Sequence, residues 1–181
     1  MIVIGIIGGR ASGKDTAARY IAGKFNGKHH AHSEILDDIL KIMAVDPNRA
    51  NTDKLFAFRA TFGESWLINA LNKKILDEDA PVEVITGIRF QNELDNIKNF
   101  PNHKTIYIEA DPKVRYERIM KRVQRSDEQQ LTLEQFMEKE KTPLQASIPE
   151  LGTQADFKIH HDGTPEELYP KLDQILSDII K

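Results

Sequence analysis

The sequence predicts an α/β fold in three layers, a five-stranded parallel sheet covered by helices on both faces, and three observations lead there. Short apolar runs alternate with stretches of helical periodicity along the chain. The first run passes directly into the glycine-rich turn Gly8-Gly9-Arg10-Ala11-Ser12-Gly13-Lys14-Asp15-Thr16, and an amphipathic pattern with Ala17, Ile21 and Phe25 on one face follows. The chain closes on a capped helix, the arrangement expected when the last strand of a parallel sheet needs a cover.

Residues 1–7 form the first strand and residues 14–26 the first helix. The first strand is short, carries no basic segment and leads into the glycine turn, so it reads as a core strand rather than a secretory signal. Lys28 to His32 is a second strand, followed by a helix with Ile35, Ile39, Leu40 and Met43 inward. Beyond the turn at Asp46-Pro47-Asn48, two helices are expected over 52–61 and 64–77, the second burying Trp66, Leu67, Ala70 and Leu71. Val82 to Thr86 and Lys104 to Glu109 are the third and fourth strands. A helix over 112–124 leads into a polar stretch from Arg125 to Lys141, and Asp156 to His160 is the fifth strand. Thr164-Pro165-Glu166-Glu167 is a capping box with proline in the first turn, opening a helix that buries Leu168, Leu172, Ile175, Leu176 and Ile179. Pro170 lies inside that helix and is expected to distort it.

The 181 residues, 40% of them apolar, suit a single domain with its own core. Basic residues number 25 and acidic residues 28, a balance that gives no electrostatic case for nucleic acid or an anionic membrane as partner. No cysteine is present, which excludes disulfides and thiolate chemistry, and no apolar stretch approaches the ~20 residues that span a bilayer. A cytoplasmic protein is expected.

The glycine turn has the spacing of a phosphate-binding loop. Its backbone N–H groups can turn inward around phosphate oxygens, Lys14 can reach the outer phosphates, and the helix behind it aims its positive end at the same anions. The hydroxyl residue that usually meets magnesium is Asp15 here, with Thr16 next, so both are candidate metal ligands. Arg115, Arg118, Arg122 and Arg125 recur at helical spacing along one side, suited to neutralising charge on a phosphoryl group in flight. Strand three ends in Thr86-Gly87-Ile88-Arg89, and carboxyl ends of parallel strands line ligand crevices, so Arg89 is expected beside a phosphate or the second substrate. His29, His30, His32, His160 and His161 match no familiar transition-metal spacing.

With those residues in view, the whole chain resembles the P-loop kinases of the nucleoside monophosphate kinase superfamily. Ser12-Gly13-Lys14-Asp15-Thr16 is similar to the loop of phage-type deoxynucleoside monophosphate kinases and of archaeal adenylate kinase-like or dephospho-coenzyme A kinase-like proteins. The segment from Val84 to Glu93 resembles their strand-end motif, where an Asp commonly precedes the arginine. The segment from Asp156 to Leu168 resembles their last strand and adenine-holding turn, with His161 for the usual Asn. The resemblance implies a three-layer P-loop NTPase fold with a helical lid over 122–141 and an acceptor-binding helical segment over 33–77.

It implies ATP and Mg2+ as cofactors. Gly8, Gly9, Arg10, Ala11, Ser12, Gly13, Lys14, Asp15, Thr16, His161 and Gly163 would hold ATP, and Lys14, Arg118, Arg122 and Arg125 would be catalytic. Ser33, Glu34, Arg59 and Arg89 would hold a small nucleotide acceptor. The acceptor expected is a nucleoside or deoxynucleoside monophosphate, with dephospho-coenzyme A as the alternative. An ATP-binding regulator without efficient transfer is the reading from another class. The oligomeric state stays open.

Overall fold

The computed structural model describes residues 1–121 and 132–180, without the side chains of Arg49, Asp53, Phe56 and Arg59. Five parallel strands, β1 (Ile2–Ile7), β2 (Lys28–Ala31), β3 (Val82–Thr86), β4 (His103–Glu109) and β5 (Phe157–His160), form one sheet in the order β2-β3-β1-β4-β5. The chain runs from β1 outward to β2, returns through β3 and crosses β1 to reach β4. The crevice at this reversal opens at the carboxyl end of β1, where an open parallel sheet binds ligands.

Both faces of the sheet are covered, which is why β3 is buried along its whole length. On one face Val3, Ile7 and Ile85 pack against α2 (His32–Ile42), α5 (Trp66–Glu78), α6 (Gln91–Lys98) and α9 (Pro143–Thr153) through Leu36, Leu40, Leu71, Ile75, Leu94 and Leu151. On the other, Ile4, Ile6, Val84 and Ile108 pack against α1 (Lys14–Lys24) and α10 (Pro165–Ile179). In α10 the four-residue spacing of Leu168, Leu172 and Leu176 keeps three leucines on that face, while Ile175 and Ile179 are only partly buried. Pro170 does not interrupt α10.

Several elements depart from the sequence-based expectation. The helix expected over 52–61 is two pieces, α3 (Arg49–Phe56) and α4 (Arg59–Phe62), and Met43 is exposed at the end of α2 rather than inward. The eight residues of α6 fall in what reads as a strand-end motif; Glu93 caps them by accepting from the N–H groups of Arg89 and Phe90 at 2.6 and 3.1 Å. The polar stretch before Lys141 contains α8 (Leu133–Glu140), held at its start by a reciprocal pair in which Thr132 N–H donates to Gln135 and Gln135 N–H to Thr132. Phe136 from α8 joins Ala11 of the glycine loop and Ile119 of α7 (Pro112–Lys121) in a third, small core.

One buried polar pair spans β2 and β3. Glu83 receives Ala80 N–H at 3.0 Å and pairs with His30 Nε2 at 2.6 Å, both side chains being shielded from solvent. Glu83→Ala would leave both partners buried and unmatched, so we expect a loss of about 3 kcal/mol in urea denaturation. A loss below about 1 kcal/mol would mean the pair contributes little net stability.

Candidate active site

The site begins where β1 ends. Its last residues are locked between β3 and β4, so the chain leaves the sheet at a fixed point and direction. Gly8 has no room for a Cβ, which would lie 2.7 Å from the Ile108 carbonyl oxygen of the neighbouring strand. Farther along, Ala11 and Gly13 take positive φ values of 57° and 104°, turning the loop before α1 starts at Lys14. Ala11 bears a conformational cost that glycine would avoid, and its methyl packs on Ile119 and Phe136.

Lys14 is 8% exposed and its Nζ donates to Asp15 Oδ2 at 3.0 Å. Burial works to raise the Asp15 pKa, but the Lys14 charge and hydrogen bond, a hydrogen bond from Thr86 and nearby His29 outweigh it and hold the carboxyl below its ordinary range. An ionised carboxylate only accepts, so the Thr86 hydroxyl donates to Asp15 and its oxygen accepts from His29 Nε2 at 2.9 Å. Burial, with Glu34 and Asp15 working against it, lowers the His29 pKa.

Asp15 and Thr16 are the metal ligands expected from the sequence. Asp15 faces Thr86, whereas Thr16 lines a cavity of about 190 Å3 together with Ala11, Gly13, Arg118, His161 and Leu168. Magnesium needs only one or two protein oxygens beside those of a triphosphate, and Asp15 can supply one. The described residues contain no group of three or more metal-ligating side chains.

Arg118, which the sequence assigns to catalysis, is engaged with the backbone. Its Nη1 donates to the Ala11 and Ser12 carbonyls at 3.1 and 3.4 Å, and its Nη2 to those of His161 and Gly163 at 3.0 and 2.8 Å. The guanidinium therefore ties the glycine loop to the turn before α10, and a part in transfer itself would require breaking those bonds. His161 is buried beside it, and burial together with the Arg118 charge lowers its pKa. The cavity these residues line combines an apolar floor from Leu168 with a planar cation, a fit for a flat heteroaromatic ring.

Arg115 is a second brace. It is buried, pairs with Glu140 of α8 at 2.6 Å and donates to the carbonyls of Ala110 and Arg10 at 3.2 and 3.4 Å. Arg122 and Arg125 lie outside the described residues, as does the first half of the stretch assigned to the lid.

On the acceptor side, Arg89 Nη1 donates to the carbonyls of Gly8 and Ile88, both at 3.2 Å, so its guanidinium lies against the glycine loop. Ser33 and Glu34 are exposed, and the Glu34 carboxylate accepts from Ala31 N–H at 3.2 Å, capping α2. Arg59 opens α4, apart in sequence from both. Sequence reasoning overlooked Thr86 and His32 as site residues. His32, buried at the start of α2, bonds through Nδ1 to the Thr86 carbonyl at 3.1 Å.

No family model matches the chain. Its sequence is 28% identical over 130 residues to a UPF0200 protein of Sulfurisphaera tokodaii, covering 71% of this chain and 72% of that one. A UPF0200 protein of Methanocaldococcus jannaschii is 27% identical across 99% of this chain and 91% of its own length. One from Pyrococcus furiosus is 33% identical, but the match spans 59% of this chain and 58% of the relative. Among solved structures, the shikimate kinase of Bacteroides thetaiotaomicron superposes with a TM-score of 0.69 at 19% identity, covering 97% of this chain and 98% of that one. A sugar kinase from a Janibacter species superposes with a TM-score of 0.60 at 12% identity, covering 99% and 96%. No helix among the described residues is long and apolar enough to cross a membrane. The similarity extends along the whole chain, and the molecule has an α/β, kinase-like P-loop fold of the kind seen in shikimate kinases.

Proposed function

We propose that this chain transfers the γ-phosphoryl group of ATP, with magnesium, to a small nucleotide-like acceptor. The observation that carries the proposal is the donor site as a unit. A glycine loop with a shielded lysine and an ionised Asp15 lies beside a cavity suited to a purine ring, at the crevice where a parallel sheet binds ligands. In the reaction ATP supplies the phosphoryl group and magnesium offsets charge on its phosphates. Lys14 would hold the outer phosphates, Asp15 would contribute to the metal shell, and the cavity beside Arg118 and His161 would take the base.

For the acceptor, a nucleoside or deoxynucleoside monophosphate is favoured by cationic clamps at Arg59 and Arg89. The contact of Arg89 with the Gly8 carbonyl turns that clamp toward the donor. An acceptor hydroxyl, as in dephospho-coenzyme A, is the second reading, and the setting of His32 favours it. A coupled ADP assay with a panel of monophosphates and alcohols tests both. We expect one acceptor class to turn over at roughly 1–100 per second. ATP binding with no turnover across the panel would favour the regulator.

The metal role of Asp15 is separately testable. Asp15→Asn keeps the side-chain shape but removes the charge, so the magnesium concentration for half-maximal rate should rise about tenfold or more. Affinity for metal-free ATP should change little. Superimposable magnesium titrations would move the metal to another ligand.

A further inference from the structure

We infer that His32 accepts the proton of the attacking group, which makes the acceptor an alcohol rather than a phosphate monoester; the inference rests on the kinase reading above. A carbonyl oxygen can only accept, so the bond to Thr86 puts the ring proton on Nδ1 and leaves the lone pair of the neutral ring on Nε2. The Nδ1 atoms of His30 and His161 are buried without a partner. Nε2 of His32 is not in that condition, and it has no hydrogen-bond partner among the described residues, in a side chain that is 4% exposed. The ring is thus held at one nitrogen, and in its neutral form the lone pair sits at the other.

Thr86 brings this base to the donor. Its hydroxyl donates to Asp15 at the start of α1, while its carbonyl holds His32 at the start of α2. One residue at the end of β3 therefore links the phosphate loop to His32. The next residue, Gly87, has a φ of 84°, and a Cβ there would approach the His32 backbone N to 3.3 Å, so a side chain at 87 would press on the start of α2.

Two carboxylates of α2 are engaged elsewhere: Glu34 caps its own helix, and Asp38 is paired with Lys41 and Lys74 at 3.2 and 3.1 Å. A monophosphate attacks through an oxygen that is already anionic and would be repelled by the Nε2 lone pair. A hydroxyl has a proton to give. In the step, the acceptor oxygen forms a bond to Pγ as its proton passes to Nε2. The bond from Pγ to the bridging oxygen breaks, its electron pair leaves with ADP, and the imidazolium then releases the proton to solvent.

The test compares wild type and His32→Asn with two alcohols, dephospho-coenzyme A and adenosine, and with AMP and dAMP. Asparagine can still donate to the Thr86 carbonyl but has no base at the Nε2 position. We expect kcat for the alcohol to fall about 100-fold, at the lower end for a lost general base, with the ATP dissociation constant within twofold of wild type. Added imidazole should restore part of the rate to His32→Ala, which a purely structural role would not allow. An alcohol rate that survives His32→Asn, or turnover of monophosphates alone, would overturn this assignment and leave the kinase standing. If wild type phosphorylates neither class, the kinase reading itself falls and takes His32 with it.

Discussion

Lys14→Ala should lower kcat/KM for phosphoryl transfer by about 10³ or more, with the fold retained. The size follows from what the reaction asks of the protein, since phosphoryl transfer depends almost wholly on positioning and on charge set against the transferring group. Loss of a single preorganised donor in such a site costs about 10²–10³, and Lys14 adds a full charge that its low exposure protects from solvent screening. The fold should persist because the side chain is absent from the apolar clusters that hold α1 to the sheet; Ala17, Ala18 and Ile21 do that work. Asp15 would lose its partner, and burial would then push its carboxyl pKa up from its present low value. Lys14→Arg should retain the effect on Asp15 while misplacing the charge. The measurements are steady-state kinetics, circular dichroism and a magnesium titration. Unchanged kcat/KM with intact structure would end the proposed mechanism.

How much of this site could be read from the chain depends on how local each part is. The glycine loop is one contiguous segment between a strand and a helix, and its chemistry is visible wherever that spacing occurs. The central strands β1 and β3 were equally legible because a strand buried on both faces must be apolar nearly throughout, whereas the edge strand β2, Lys28–Ala31, offers no such run and its end was read one residue long, at His32. Helix α6 was hidden because only Leu94 and Ile97 among its apolar residues face the core, too few for a period to emerge from Gln91-Asn92-Glu93-Leu94-Asp95-Asn96-Ile97-Lys98. Helix α8 buries Phe136 alone, and α9 carries Pro143 at its start and Pro149 inside. The contact of His32 with Thr86 joins residues 54 apart through the pairing of β2 with β3, and no local pattern encodes it. The arginine row was legible as a row. Its members were not distinguishable, because Arg115 and Arg118 find carbonyl partners that only the folded loop provides.

That distinction leads to the second large effect. Arg118→Ala should raise the ATP dissociation constant by about 10²–10³, with a smaller change in kcat. Its two shortest bonds, to the Gly163 and His161 carbonyls, hold the turn that walls the base cavity, and its bonds to Ala11 and Ser12 hold the glycine loop opposite. Hydrogen bonds from a charged donor contribute about 1.5–3 kcal/mol each, so losing the two best, after allowance for partial solvent access, removes about 3–4 kcal/mol from the assembled donor site. Arg118→Lys should rescue little, because an ammonium on a flexible stem is a point charge and cannot span four acceptors as the planar fork does. The signature separates two roles. An arginine that acts only on the transferring group lowers kcat and spares ground-state binding, whereas one that holds the two walls of the base cavity weakens ATP before any chemistry occurs. Calorimetric titration of ATP against the variant, beside its kcat, decides between them: an unchanged dissociation constant with a collapsed kcat would mean that Arg118 leaves its carbonyls and acts on the phosphoryl group.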